Sequence, residues 1–144
     1  MVDKLVCKNA IPGTPHAKRK ATRPGPYCLQ CKRSVTQGRS AKTHETYVFN
    51  TYGLFPGEYA AIKAAQGGKC FICQRATGAV RRLAVDHDHA LEKAGVTLRH
   101  TVRGLLCKTC NKTLGFYRDD PNAFYRAIEY LGNPPAKRVL EELE

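Results

Sequence analysis

Two carboxylates and two imidazoles stand side by side in the run Asp86-His87-Asp88-His89. Side chains alternate along a strand, so Asp86 and Asp88 should face one way and His87 and His89 the other. One face would then bind a hard cation through oxygen, and the other would offer a base. Asn111 adds a neutral oxygen ligand of the kind that Mg²⁺ or Mn²⁺ accepts. The alternative is that the histidines are additional zinc ligands or solvated turn residues.

Two Cys-x2-Cys pairs flank this run. Cys70 and Cys73 precede it, and Cys107 and Cys110 follow after an interval of 33 residues. Two such pairs supply the four thiolates that a tetrahedral structural zinc needs, and a closed site of this kind leaves no position for water. The pattern therefore predicts a structural zinc that takes no part in catalysis. Chance pairs of buried or redox-active cysteines are the alternative.

A third pair, Cys28-x2-Cys31, lies near the N-terminus, and Cys7 is its one obvious thiol partner. His16 or His44 would complete a second zinc site, and His16 is preferred because it lies between Cys7 and Cys28 in the same basic segment. An unstructured basic arm without a bound metal explains the segment nearly as well. Both interpretations stay open at this point.

Several motifs together closely resemble the recombination endonuclease VII family, which belongs to the HNH or ββα-metal nucleases and is common in phages. The resemblance covers about residues 45–132. The matching segments are Gln66-Gly67-Gly68-Lys69-Cys70, Val85-Asp86-His87-Asp88-His89, Val102-Arg103-Gly104-Leu105-Leu106-Cys107-Lys108-Thr109-Cys110-Asn111, Leu114-Gly115 and Arg126-Ala127-x2-Tyr130-Leu131. The combination is specific, so the resemblance predicts both a fold and an activity.

The resemblance implies a role for each matched residue. Asp86 and Asn111 would bind the catalytic Mg²⁺ or Mn²⁺, His87 would be the general base, and His89 would be a further active-site histidine. The four cysteines at 70, 73, 107 and 110 would hold the structural zinc. Water activated by His87 would attack the phosphorus, leaving a 5′-phosphate and a 3′-hydroxyl. This chain differs from longer resolvases in its basic N-terminal module and in lacking a long C-terminal extension, so the DNA structure it cuts stays open.

The elements that must position these residues follow from hydrophobic periodicity and from turn residues. Helices are predicted over 41–52, 57–66, 107–117, 121–131 and 136–143, strands over 82–87 and 102–106, and a loop over 88–100. The expected fold is α+β: a small, zinc-stabilised ββα-metal domain (HNH, treble-clef-like) flanked by helices. The expected domains are a basic module at 1–44, the nuclease domain at 45–135 and a tail at 136–144.

The charge of the chain favours a polyanionic partner, of which DNA is the expected one. The formal net charge is +12, and residues 1–44 carry ten Lys or Arg against one acidic residue. Candidate nucleic-acid contacts are Lys18, Arg19, Lys20, Arg103 and Arg118. For each of them a solvated surface charge is the alternative.

The remaining expectations concern setting and assembly. No apolar run is long enough to span a bilayer, and the first ten residues lack a secretory signal, so the expected location is the cytoplasm, that of the host cell if the chain is phage-encoded. Phe124, Ile128 and Leu131 form an apolar stripe that would serve a homodimer or, as the preferred alternative, pack on the chain's own core. The predicted function is a metal-dependent DNA endonuclease, and the rival is a non-catalytic, zinc-bound nucleic-acid adaptor.

Overall fold

The computed structural model describes residues 7–9 and 26–143. The chain divides into two compact units, Met1–Tyr59 and Ala60–Glu144. The boundary predicted after residue 44 falls inside the first helix, and the three predicted domains stay a prediction. Four residues with predicted roles lie outside the described residues: His16, Lys18, Arg19 and Lys20.

Helix α1, Leu29–Tyr52, dominates the described part of the first unit. The prediction of a helix over 41–52 alone was too short. The first half of α1 is polar on nearly every side, so it carries no apolar period that could reveal it. The helix ends at Gly53, whose left-handed φ of 70° lets its N–H bond to the carbonyl of Phe49 at 2.8 Å.

Helix α2, Glu58–Ala65, confirms the helix predicted over 57–66 and runs across the division between the units. The carboxylate of Glu58 accepts a hydrogen bond from the backbone N–H of Phe55 at 2.8 Å, which satisfies a donor at the start of the helix. Gly67 and Gly68 follow with left-handed φ angles of 66° and 75°. The chain can turn there because glycine adopts this conformation without a steric penalty.

A two-stranded antiparallel sheet forms the centre of the second unit. Its strands are β1, Ala84–His87, and β2, Val102–Leu106. Ala84 pairs with Leu106 and Asp86 with Gly104, but His87 pairs with Val102, so Arg103 is the extra residue of a β-bulge. The small buried core around the sheet comprises Leu83, Val85, Leu105, Leu106, Cys70 and Thr101.

The connection between the strands is not the loop predicted over 88–100. It contains helix α3, His89–Lys93, and helix α4, Leu98–Thr101. The carboxylate of Asp88 accepts hydrogen bonds from the backbone N–H groups of Ala90 and Leu91, at 2.8 and 3.1 Å, and so caps α3. Mixed polar composition concealed these helices, because each is too short to show a period.

Three helices complete the described chain, and they confirm the predicted ones within a residue or two at each end. They are α5, Lys108–Phe116, α6, Pro121–Gly132, and α7, Pro135–Glu142. Asp120 caps α6 by accepting from the N–H of Asn122 at 2.9 Å. Within residues 26–143, none of the helices has the length and apolar character needed to cross a bilayer.

Candidate metal and active site

Four cysteines of the second unit converge, as their spacing predicted. The sulfurs of Cys70, Cys73, Cys107 and Cys110 all lie within 4.8 Å of one another, so this cluster could hold one metal ion. Cys107 is the N-cap of α5, where its sulfur accepts a hydrogen bond from the backbone N–H of Cys110 at 3.4 Å. The cluster therefore joins the knuckle around residue 70 to the beginning of α5.

Local hydrogen bonds prepare the cluster for a cation. Backbone N–H groups of Arg75 and Ala76 stabilise the thiolate of Cys73 and lower its pKa to about 6. Burial raises the pKa of Cys110 to about 12. Four thiolates this close together repel one another, so they need a cation such as Zn²⁺.

Asp86 is a buried carboxylate that is held by an arginine. Arg103 donates to it from Nε at 2.7 Å and from Nη2 at 3.1 Å, and the same Nη2 lies 3.2 Å from a carboxylate oxygen of Asp119. The hydrogen bonds from Arg103 reach Asp86 because the bulge in β2 places Arg103 opposite no residue of β1. These contacts, led by the one with Asp86, raise the pKa of the Arg103 guanidinium. Arg103, the candidate phosphate contact, is thus hydrogen-bonded to Asp86, the candidate metal ligand.

His87 and His89 come together around Glu92, a residue that the sequence analysis did not single out. Nε2 of His87 and Nδ1 of His89 lie 3.0 and 3.4 Å from the same Glu92 oxygen, and the two rings are 4.3 Å apart. Hydrogen bonding from His87 is the main cause that lowers the pKa of Glu92. These three side chains form another group whose ligand atoms lie within 4.8 Å of one another.

Continuous strand alternation does not account for this arrangement. β1 ends at His87, and His89 is the first residue of α3, so the turn into the helix brings the two rings together. Asp88 does not extend the oxygen face of Asp86, because one of its oxygens accepts the two capping hydrogen bonds. Those bonds, led by the one from Leu91, lower the pKa of Asp88.

Asn111 and Arg118 occupy different settings. Asn111 is half-buried in α5, which contacts both strands, and its backbone N–H donates to the carbonyl of Cys107 at 3.0 Å. Arg118 is exposed after α5, with a left-handed φ of 56°. A basic cleft of about 320 Å³ that the sequence analysis missed has Arg75, Arg81, Arg82 and Lys108 among its lining residues.

Gln66 braces the strand that carries Arg103. Its side-chain amide accepts from the N–H of Leu105 and donates to the carbonyl of the same residue, both at 2.8 Å, and it donates to the carbonyl of Lys69 at 3.1 Å. The amide thus takes the place of a neighbouring strand. A Cβ at Gly104 would lie 2.9 Å from the Gln66 oxygen, which explains why glycine suits that position.

In the first unit, Cys7, Cys28 and Cys31 also come together. His44, the other candidate for that site, instead packs edge-on against Tyr59 with ring centroids 4.5 Å apart. His44 is not part of the group that the three cysteines form.

Comparisons with known proteins agree with the motif-based resemblance. The pattern of the recombination endonuclease VII family matches residues 45–133. The chain is 47% identical to the Gene 59 protein of Mycobacterium phage L5 over 137 residues, which cover 94% of this chain and 79% of that protein. It is 45% identical to the Gene 59 protein of Mycobacterium phage D29, with 94% and 78% covered. No solved structure matches the chain.

Proposed function

Because the chain belongs to the recombination endonuclease VII family, we propose that it is a divalent-metal-dependent DNA endonuclease of the HNH type. It would hydrolyse phosphodiester bonds to 5′-phosphate and 3′-hydroxyl ends. The order β1, β2, α5 supports a ββα-metal arrangement, with α3 and α4 inserted between the strands. The proposal depends most on the position of the His87 side chain. Its ring is hydrogen-bonded to Glu92, and it directly follows the buried Asp86 in sequence.

His87 is the proposed general base. In the tautomer that donates from Nε2 to Glu92, Nδ1 is the basic nitrogen, and it would take the proton from the attacking water. The carboxylate of Glu92 fixes the ring orientation and stabilises the imidazolium that forms when the proton arrives. Nδ1 of His89 contacts the same Glu92 oxygen. One carboxylate would therefore orient both histidines, and His89 would act near the scissile phosphate.

Asp86 and Asn111 are the proposed ligands of Mg²⁺ or Mn²⁺. The fit rests on chemistry: a carboxylate and an amide oxygen suit a hard cation, and Asp86 already binds the positive guanidinium of Arg103. When bound, the cation would supply positive charge to the phosphate and to the leaving 3′ oxygen. The Arg103 side chain is one-third exposed and already reaches a second carboxylate, that of Asp119. It would therefore be able to move from Asp86 towards the phosphate once the cation is bound.

Positive surfaces support DNA as the substrate. The cleft lined by Arg75, Arg81, Arg82 and Lys108 borders the cysteine cluster through Cys107. Its side chains can contact phosphates without reading sequence. The net charge of +12 acts in the same direction. Since the similar Gene 59 proteins come from mycobacteriophages, the proposed setting is the cytoplasm of an infected cell.

The four-cysteine cluster would bind a structural zinc. All four positions would be taken by sulfur, so the ion would hold the beginning of α5 and leave hydrolysis to the histidine site. Cys107→Ser would then weaken the whole catalytic unit, because one of the four ligands of the cluster is lost.

The function is tested with full-length, zinc-loaded protein and a panel of linear, nicked, flapped and four-way DNA. Cleavage should occur with added Mg²⁺ or Mn²⁺ and be absent when neither ion is added, with the zinc content of the protein unchanged. DNA ligase should reseal the products, since it needs a 5′-phosphate and a 3′-hydroxyl. Protein that binds every DNA but leaves each of them intact would be a non-catalytic adaptor.

A further inference from the structure

Three cysteines of the first unit converge outside the residues matched to the family. The sulfurs of Cys7, Cys28 and Cys31 lie within 4.8 Å of one another, and all three side chains are buried. Cys7 lies 21 positions before Cys28 in the sequence, so their meeting is a tertiary contact. The family match begins only at residue 45 and does not include them.

Two hydrogen bonds donated by backbone N–H groups hold the three cysteines together. The N–H of Cys28 donates to the sulfur of Cys7 at 3.1 Å, and the N–H of Lys8 donates to the carbonyl of Pro26 at 2.7 Å. The segment 7–9 is thereby tied to the residues that lead into α1.

The pair at 28 and 31 repeats the geometry of the pair at 107 and 110. Cys28 is the N-cap of α1 with φ and ψ of −66° and 163°, and Cys107 is the N-cap of α5 with −69° and 158°. In each pair the second cysteine is the third residue of its helix. In both clusters a helix N-terminus therefore supplies two cysteine sulfurs. They meet sulfur from an earlier part of the chain, that of Cys7 in one cluster and those of Cys70 and Cys73 in the other.

Sulfur dominates this cluster within the described residues. Its members there are the three cysteines, with the half-buried ring of Tyr27 packed against them and no aliphatic side chain. These groups bury little apolar surface, so the convergence of three sulfurs is the feature to be explained. A disulfide would join two of the sulfurs and leave the third buried beside it, and no disulfide links the cysteines of the described residues.

We infer that Cys7, Cys28 and Cys31 bind a second zinc ion, which fastens segment 7–9 to the N-terminus of α1. Three thiolates satisfy three of the four positions that Zn²⁺ prefers, and the fourth is taken by water or another ligand. Lys8 and Lys32 each directly follow a ligand in sequence, and their positive charge would offset the excess negative charge of three thiolates around one Zn²⁺. This site is independent of the proposed cleavage reaction.

The test is the zinc content of full-length protein purified without added chelator. Wild type should contain two zinc ions per chain, and Cys7→Ser and Cys31→Ser should each contain one. Cys73→Ser, which removes a ligand of the other cluster, should also reduce the content by one. The double variant Cys7→Ser, Cys73→Ser should retain none.

A second measurement needs no variant and so does not depend on how the variants fold. Native protein is alkylated briefly, and the modified cysteines are identified by mass spectrometry before and after zinc is removed. Cys7, Cys28 and Cys31 should be protected until a strong chelator is added. One zinc per chain with rapid alkylation of these three residues would overturn the inference, and so would an intact mass showing that two of them form a disulfide.

Discussion

Arg103 donates two hydrogen bonds to the carboxylate of Asp86, at 2.7 and 3.1 Å, from the extra residue of a β-bulge. The guanidinium of Arg103 therefore occupies the place on Asp86 where a divalent cation would bind. A divalent ion that binds Asp86 must compete with this guanidinium, and the displaced Arg103 would be close to the phosphate.

Arg103→Ala should separate two proposed roles of this arginine: its competition with the divalent ion for Asp86 and its contact with the phosphate. Removal of a competing positive charge from Asp86 should tighten Mn²⁺ binding by about 10-fold, in line with the effect of one adjacent charge on a carboxylate. Cleavage should nevertheless fall by about 10²-fold, because a group that stabilises charge on the phosphate is lost. Mn²⁺ titration without DNA and cleavage kinetics measure the two effects.

The control for this prediction is Arg138→Ala, which removes an exposed arginine of α7. It should change neither Mn²⁺ affinity nor cleavage by more than about twofold, as expected for a surface charge. The contrary result is that Arg103→Ala lowers only the melting temperature and leaves the Mn²⁺ affinity as in wild type. That result would mean that the Arg103–Asp86 ion pair is structural and that Asp86 is not a metal ligand.

Gln66→Ala should destabilise the second unit by about 1–3 kcal/mol, because the N–H and carbonyl of Leu105 lose their partner in a partly buried place. Gly104→Ala should also destabilise, since its Cβ would displace the Gln66 oxygen. In the Gln66→Ala background the cost of Gly104→Ala should shrink, which denaturant unfolding would show as a non-additive pair. Gln37→Ala, at an exposed position of α1, is the control. Full additivity would contradict the bracing role.

Glu92→Ala should lower kcat by about 10-fold with little change in KM, as for other groups that orient a functional histidine. Glu92→Gln should retain more activity, because the amide oxygen can still accept from Nε2 of His87. Glu129→Ala, an exposed residue of α6, is the control. If excess Mn²⁺ restored Glu92→Ala to wild-type activity, Glu92 would be a metal ligand together with His87 and His89.

Sequence spacing predicted those parts of the site that are local in the chain. The pairs at 70 and 107 could be found because a chelating Cys-x2-Cys turn leaves its signature within four residues. Strand β2 could be found because its apolar residues stand between turn signals. The long α1 could not, since its first half is polar around the whole helix and shows no period.

The contacts that orient the site have no such signature. Arg103 reaches Asp86 because of a bulge, and a bulge is fixed by strand register, which depends on the partner strand. Gln66 contacts Leu105 across 39 residues of sequence. Glu92 was missed because a loop was predicted where α3 begins, and only the helix brings its carboxylate to both histidines.

A homodimer would give two active sites for the two strands of a duplex. Ile128 and Leu131 are exposed on α6, although packing on the chain's own core was the preferred expectation, and Phe124 is half-buried beside Tyr117. Light scattering at micromolar concentration should give the mass of two chains, and Ile128→Glu should give that of one. Asn122→Glu adds the same charge to α6 outside the stripe and should leave the mass unchanged. A one-chain mass for wild type would favour nicking of single strands.

The paired variants of His87 and Asn111 distinguish a base from a metal ligand. His87→Ala should keep fold, zinc content and DNA binding while cleavage falls by roughly 10²–10⁴-fold, the usual contribution of a positioned general base. Asn111→Ala should also cleave slowly, but added Mn²⁺ or Mg²⁺ should recover part of the loss. Asn111→Asp should retain more activity than Asn111→Ala, because a carboxylate oxygen can replace the amide oxygen on a hard cation.

The response to metal is the decisive measurement in this comparison. His87→Ala lacks a proton acceptor, so a higher Mn²⁺ concentration should not restore its rate. His100→Ala, which removes an exposed histidine of α4, controls for general effects of losing an imidazole and should cleave as wild type does. Equal rescue of His87→Ala and Asn111→Ala by metal would mean that His87 is itself a ligand, and the base would then have to be sought at His89.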